Sequence, residues 1–240
     1  MRVRVRSLDL MLALSLALGL ATAALAYIPP AKQVAGAVAK ANRAAKRNQA
    51  LTMEVSLQRG GTEEAFASGT LITDPSGKAR LELQKDGRIE RHLRAGARLE
   101  ATRAGGARSG ELRLPPLHLL QIVQSAKLQT ALAALGAPGG AIEPGYDDDL
   151  DAYVLGGRGA TALWVDMESL SPVRIDLPAG ITVRLGPLES FDGVLWPAWL
   201  SIHQGEAAPV RMLFRGVTAT ATSSEMFRRD WLFPDSQPRP

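Results

Sequence analysis

The chain has 240 residues, of which 46% are hydrophobic and 22% are charged, and its formal net charge is +4. This composition is typical of a globular protein, and the length suits one large domain or two small ones. Half of the net charge comes from the first 26 residues. The remainder is not basic enough to indicate nucleic-acid binding. The absence of cysteine excludes disulfides, a thiol nucleophile, cysteine-ligated zinc and a lipid-modified cysteine.

The first 26 residues have the pattern of a signal peptide. Three arginines precede an apolar run over residues 10–20, and Ala24-Leu25-Ala26 fits a cleavage site between small residues. We therefore expect a mature chain that begins at Tyr27 and is exported from the cytoplasm. An uncleaved anchor is the alternative, because the apolar run can be read as extending from residue 10 to 26.

A helix is predicted over residues 31–49, directly after Pro29-Pro30. Val34 and Val38 lie four residues apart and form one face, which several alanines extend. This stripe of small residues suits close packing on a sheet. The lysines and arginines on the other faces, Arg47 among them, are interpreted as solvated.

From residue 51 the hydrophobic pattern changes to a period of two. Short alternating segments run to residue 103 and are separated by turn residues such as Asp86-Gly87, a strong hairpin signal. Residues 114–135 then return to helical spacing and predict a helix pair or one broken helix, which ends at Gly136. An acidic loop is predicted over residues 145–151.

Alternation resumes in a second set of strands, predicted at 151–156, 161–166, 172–177, 181–186, 195–203 and 209–220. The sequence thus predicts an α+β fold with ten or eleven strands. We expect a single curved antiparallel sheet, an unclosed half-barrel, wrapped around helices that act as a lid. Two stacked sheets are the competing interpretation. The domain is expected to span residues 27–233, with a disordered tail over 234–240.

No catalytic pattern is recognisable. His92, His118 and His203 lack metal-ligand spacing, and no nucleophile motif or phosphate-binding glycine loop occurs. The aspartates of the 145–151 loop lack the glycine and terminal glutamate of a calcium-binding loop. We therefore expect a protein that is not an enzyme and has no cofactor and no metal.

Three motifs in the second set of strands resemble the LolA/LolB-like family of periplasmic outer-membrane lipoprotein carriers. They are Leu163-Trp164-Val165-Asp166, Pro172-Val173-Arg174-Ile175, and the run from Asp192-Gly193 to Trp196-Pro197. The order of helix, strand meander, helical insertion and second strand set also matches over nearly the whole mature chain. Two features depart from the family. The turn Thr73-Asp74-Pro75 lacks the arginine that the best-known carriers have before the proline, and aromatic residues are few.

The resemblance implies a half-barrel that encloses an apolar cavity for the acyl chains of lipoproteins or other lipids. It also implies a periplasmic monomer that transfers cargo from an inner-membrane donor complex towards an outer-membrane acceptor. The two departures weaken the expectation that the cargo is a lipoprotein, but not the expected fold. The alternative is a periplasmic signalling module of the same fold that binds a partner protein. The residues expected to line the cavity are Leu71, Leu81, Leu83, Leu120, Trp164, Val173, Ile175, Val183, Met212 and Phe214.

The residues alone leave the nature of this apolar face open. An alternating strand must bury its apolar side against something. The helical segments can cover that side completely and form an ordinary core, or cover it loosely and leave a pocket. For each of the ten residues, core packing explains the pattern as well as ligand contact does.

Overall fold

The computed structural model describes residues 28–103, 112–148 and 150–233. The predicted signal peptide and the predicted disordered tail lie outside the described residues. Within them, no helix is both long enough and apolar enough to cross a membrane.

The described residues contain two α-helices, α1 (Ala31–Ala44) and α2 (Ser125–Ala134), and three short 3-10 helices. The strands of the first set are β1 (Leu51–Arg59), β2 (Ala65–Thr73), β3 (Lys78–Lys85), β4 (Arg88–Ala95) and β5 (Arg98–Arg103). The strands of the second set are β6 (Ile142–Asp147), β7 (Leu150–Leu155), β8 (Ala162–Asp166), β9 (Pro172–Leu177), β10 (Ile181–Leu185), β11 (Leu188–Phe191), β12 (Val194–Pro197), β13 (Trp199–Gln204) and β14 (Val210–Ala219).

Twelve strands form one antiparallel sheet in the order β5-β4-β3-β2-β1-β14-β13-β10-β9-β8-β7-β6. The first and last strands of the chain, β1 and β14, pair in the middle and join the two sets. Strands β5 and β6 are the free edges, so the sheet is not closed. The prediction of one unclosed sheet is confirmed. Within the described ranges, the second sheet is the two-stranded β11–β12 hairpin.

The core lies on one side of this sheet, which we call the inner face; the opposite side is the outer face. Alternate residues of β1, among them Leu51 and Met53, point into one large apolar cluster with the corresponding residues of the other strands. Helix α1 adds Val34 and Val38 to the same cluster, as its predicted stripe requires. Leu128 of α2 completes the cover.

The helical insertion is broken, as predicted, into a 3-10 helix over Leu117–Leu120 and helix α2. Side chains of α1 donate hydrogen bonds to backbone carbonyls of the insertion and so connect the two elements. Asn42 is buried and donates from Nδ2 to the carbonyls of Leu119, at 3.2 Å, and Ile122, at 3.0 Å. Because a buried amide needs such partners, Asn42 fixes the insertion relative to α1.

Several local predictions are wrong. Helix α1 ends at Ala44, and Arg47 is not solvated but buried, with its guanidinium 5.8 Å from the centre of the Trp196 ring. The predicted acidic loop contains the second half of β6, a strand that was not predicted because Pro144 and Gly145 are unfavourable in strands. Hairpin strand β11 is an addition to the prediction.

The residues after β14 were not assigned by the sequence pattern, and they cross the outer face of the first strand set. Thr102 of β5 donates to the carbonyl of Leu232 at 2.9 Å. The guanidinium groups of Arg80 and Arg91 lie 5.2 and 5.7 Å from the centre of the Trp231 ring. This segment therefore covers the side of the sheet opposite the core.

Candidate ligand-binding site

Most of the residues predicted to line a cavity lie in the packed centre of the inner face. Eight of the ten belong to the large apolar cluster, and none of the eight is more than 5% exposed. They are Leu71, Leu81, Leu83, Leu120, Ile175, Val183, Met212 and Phe214. The structure brings the eight side chains together in one cluster, as the alternation of apolar and polar residues in the sequence predicted. Their contact with a ligand stays a prediction.

Trp164 and Val173 depart from the expected single face. Both lie on the outer face, in a small separate cluster with Ala152, Val154 and Ala162. Trp164 alternates along β8 with Leu163 and Val165, which belong to the large apolar cluster. Val173 is displaced by an irregularity in the pairing of β8 with β9, where Trp164 pairs with Arg174 but Val165 pairs with Pro172. The extra residue on β9 is Val173, and such a bulge turns its side chain away from the face that strict alternation assigns.

Trp164 takes part in a polar network on the outer face. Its indole Nε1 donates to Oδ2 of Asp176 at 2.7 Å, and the guanidinium of Arg174 lies 4.3 Å from its ring centre. Arg174 also binds Asp176 in a two-pronged contact, with distances of 2.7 and 3.1 Å. Two residues of the motifs that carried the family resemblance, Trp164 and Arg174, thus hold β8 against β9 through Asp176.

The network extends to the edge strand β6. Asp147 accepts hydrogen bonds from Arg174 and Arg184, each at 2.9 Å, and Arg184 also pairs with Asp148. The hydrogen bond from Arg184 holds the pKa of the Asp148 carboxyl below its usual range. Glycine is required at position 145 of the same strand, since a Cβ there would lie 2.5 Å from the Trp164 ring. The aspartates therefore hold the edge strand in place.

Open space is found at the rim of the sheet, beside the free edge β5 and the helical insertion. One cavity has a volume of about 610 Å³ and lies between α2 and the turns that follow β2 and β4. Its lining includes Pro75, Gly96, Ala97, His118, Ile122, Lys127, Ala131, Ala134 and Leu135. None of the ten predicted residues is among its lining residues in the described part of the chain.

A second cavity of about 530 Å³ adjoins the first and shares Ala97 and Leu135 with it. It lies between β5 and the turn that joins β9 to β10. Its other lining residues are Arg94, Leu99, Ala101, Leu112, Arg113, Thr161, Leu177, Pro178 and Ile181. The pair of cavities thus follows the gap that the unclosed sheet leaves, and we call it the rim site.

Strand β4 gives the rim a polar inner face. Leu83 and Leu81 of β3 lie in the apolar cluster, and their cross-strand partners on β4 are Glu90 and His92. Arg94 continues this row opposite Ala79, and all three polar side chains are buried. Since directly paired residues share a face of the sheet, β4 inserts a row of ionisable groups beside the core.

Arg94 is a buried cation, only 6% exposed, whose charge no described carboxylate neutralises through an ion pair. Its Nε donates to the carbonyl of Leu114 at 2.8 Å, and its Nη1 donates to that of Gly96 at 2.7 Å. Burial lowers the pKa of Arg94 to about 10. It remains charged at neutral pH.

His118 lies on the wall of the larger cavity and is also buried. Its Nδ1 has no hydrogen-bond partner among the described residues. Burial, and then the charge of Arg94, lowers its pKa to about 4, so the ring is neutral at pH 7. An unpartnered buried nitrogen of this kind is costly unless a ligand or water reaches it.

The histidines do not assemble with carboxylates into a metal site anywhere in the described ranges. His203 lies on the outer face, with Nε2 3.0 Å from Oγ of Ser201 two residues earlier on the strand.

The sequence pattern did not point to Arg94, Arg113 or Ala97. Arg94 points inwards because it pairs with Ala79 of β3, and this register between the two strands cannot be read from the sequence.

A comparison with solved structures identifies the fold. A LolA superfamily protein from Nitrosomonas europaea superposes with a TM-score of 0.53 at 14% sequence identity, covering 85% of this chain and 100% of that one. No family model matches the chain, and no curated protein matches it in sequence. The chain thus has a LolA/LolB-like fold, as the resemblance predicted.

Two further structures are similar over comparable lengths but superpose less well. A DUF1329 family protein from Desulfovibrio piger has a TM-score of 0.39 at 14% identity, covering 83% of this chain and 98% of that one. The MucA/MucB complex from Pseudomonas aeruginosa has a TM-score of 0.26 at 14% identity, covering 82% of this chain and 60% of the matched one. Neither superposition is close enough to support an argument about function.

Proposed function

We propose that the protein is a periplasmic carrier that binds the acyl chains of lipoproteins or other lipids at the rim site and transfers them towards the outer membrane. The observation that supports this most is the position of the two cavities, beside the free edge β5 of an unclosed sheet. Their volumes of about 610 and 530 Å³ lie within the usual range of about 300–1,000 Å³ for ligand pockets.

The lining suits a hydrocarbon chain. Leu99, Ala101, Ala131 and Leu135 present aliphatic surface from both the sheet edge and the insertion. Each buried methylene contributes about 0.8 kcal/mol, so ten of them give about 8 kcal/mol before the costs of binding. A site open along one edge lets a chain enter and leave sideways, as a carrier requires.

In this proposal the eight buried residues of the large apolar cluster form the packed wall behind the ligand. Their burial leaves them without space for an acyl chain in the described conformation. The rim residues make the contacts instead, and the insertion covers the chain from above.

The test is binding of a dansyl-labelled undecanoic acid to the exported protein, followed by fluorescence. Ala134 lines the larger cavity and is exposed, so Ala134→Trp fills space without disturbing the core. Ala133 is the matched control, because it is also exposed on α2 but lines neither cavity. We expect wild type and Ala133→Trp to bind alike and Ala134→Trp to bind at least tenfold more weakly. Absence of binding by wild type would overturn the proposal and favour the partner-binding module instead.

A further inference from the structure

The two cavities carry a charge asymmetry that a hydrocarbon chain alone does not explain. Arg94, Arg113 and Lys127 line them, and among the described residues no carboxylate does. A site for an uncharged chain has no need of cations. An excess of positive charge in a partly enclosed space attracts anions.

Arg94 is the informative residue, because its charge is buried. Buried charges in proteins are normally paired, since removal from water is costly. The carbonyls of Leu114 and Gly96 satisfy two of its N–H groups, but they do not cancel its charge. Arg47 is also buried but differs from Arg94, because it lies against the Trp196 ring and lines neither cavity.

A second, independent observation comes from His118. Its Nδ1 is buried and unpartnered, and the ring lies on the wall of the adjoining cavity. Gly96 lies near both groups, because it accepts a hydrogen bond from Arg94 at 2.7 Å and lines the larger cavity together with His118. Together they offer a cation and a free polar nitrogen at the junction where the cavities share Ala97.

We propose that the rim site recognises an amphiphile with an anionic headgroup, a carboxylate or a phosphate, which Arg94 and Arg113 bind while the acyl chain lies along the insertion. This deepens the proposed function and rests on it. Arg94 supplies hydrogen bonds in a fixed position at the inner wall, and a planar guanidinium suits both headgroups. Arg113 is exposed and supplies long-range attraction at the entrance.

The experiment compares four competitors against the dansyl probe: dodecanoate, dodecyl phosphate, uncharged dodecanol and inorganic phosphate. We expect both anionic amphiphiles to displace the probe at about tenfold lower concentration than dodecanol. The reason is that one hydrogen bond to a charged group increases the affinity about tenfold. Inorganic phosphate alone should not compete. If it competes as well as the amphiphiles, the site is for a free anion and the inference fails.

Two variants assign the preference to residues. Arg113→Glu changes an exposed side chain, so it should fold normally and lose most of the preference for dodecanoate over dodecanol. Arg94→Gln should abolish it, with folding checked by thermal unfolding. Arg88→Glu is the control, since Arg88 is exposed at the far end of β4 and lines neither cavity.

The outcomes separate the two proposals. Equal displacement by dodecanoate and dodecanol, or an unchanged preference in Arg113→Glu and Arg94→Gln, would overturn the headgroup site and leave the acyl carrier intact. Failure of every amphiphile to bind would overturn both.

Discussion

The centre of the inner face and the rim are built from the same kind of alternating strand, yet they differ in what the inward residues do. In the centre, Val183, Ile175 and Met212 are fully buried against one another and the helices. At the rim, β4 turns Arg94 inwards, and space remains beside β5. An apolar strand face therefore predicts a core, whereas open space is found where the sheet ends and its cover is incomplete.

The largest expected effect is at Val183 in the packed centre. Val183→Glu places a carboxylate without a partner at a side chain with 0% exposure, which costs about 3–5 kcal/mol or more. This is a large part of the stability of an ordinary domain. We expect collapse of the cooperative thermal transition. Ile89→Glu, at a residue 41% exposed, is the control and should unfold near the wild-type temperature. A normally folded Val183→Glu protein would show that the centre is an openable cavity.

The next effect concerns the rim and depends on pH. The pKa of His118 lies at about 4 in the folded protein, below its ordinary value of 6.5. Between these values the unfolded chain binds a proton that the folded chain does not, so stability falls as the pH decreases from 6.5 to 4. The loss is about 3 kcal/mol, because one pKa unit corresponds to about 1.4 kcal/mol.

The His118→Gln variant isolates this contribution. Other titrating groups act equally in both proteins, so the variant should lose less stability than wild type over the same pH interval. Urea unfolding at pH 7, 5.5 and 4.5 measures the difference. Parallel curves for the two proteins would mean that His118 is not buried as a neutral group.

A smaller effect is expected on the outer face, where the motif residues Trp164 and Arg174 lie. Asp176→Ala removes the acceptor of Trp164 and one partner of Arg174, which should cost about 2 kcal/mol. Asp148→Ala removes an exposed partner of Arg184 and should cost less than about 1 kcal/mol. Both variants should bind the acyl probe as wild type does. Loss of binding in folded Asp176→Ala would link the outer face to the site.

The architecture was predictable because periodicity reports which residues a strand buries. The spacing of apolar residues along the chain correctly predicted that Ile175 and Val183 point inwards. It also predicted the break in the helical insertion. Strand β6 was hidden by Pro144 and Gly145, which are ordinarily strand breakers. Val173 was assigned to the wrong face because a bulge depends on the pairing of two strands. The inward direction of Arg94 likewise depends on its partner Ala79.

The central claim is that the ligand lies at the rim and not within the apolar centre. The most direct measurement is photo-crosslinking of the protein with a fatty acid that carries a diazirine near the end of its chain, followed by peptide mapping. We predict labels on Leu99, Ala131 and Leu135, with competition by unlabelled dodecanoate. Labels concentrated on Leu71, Val183 and Met212 would contradict the account, because they would show that the chain enters the core.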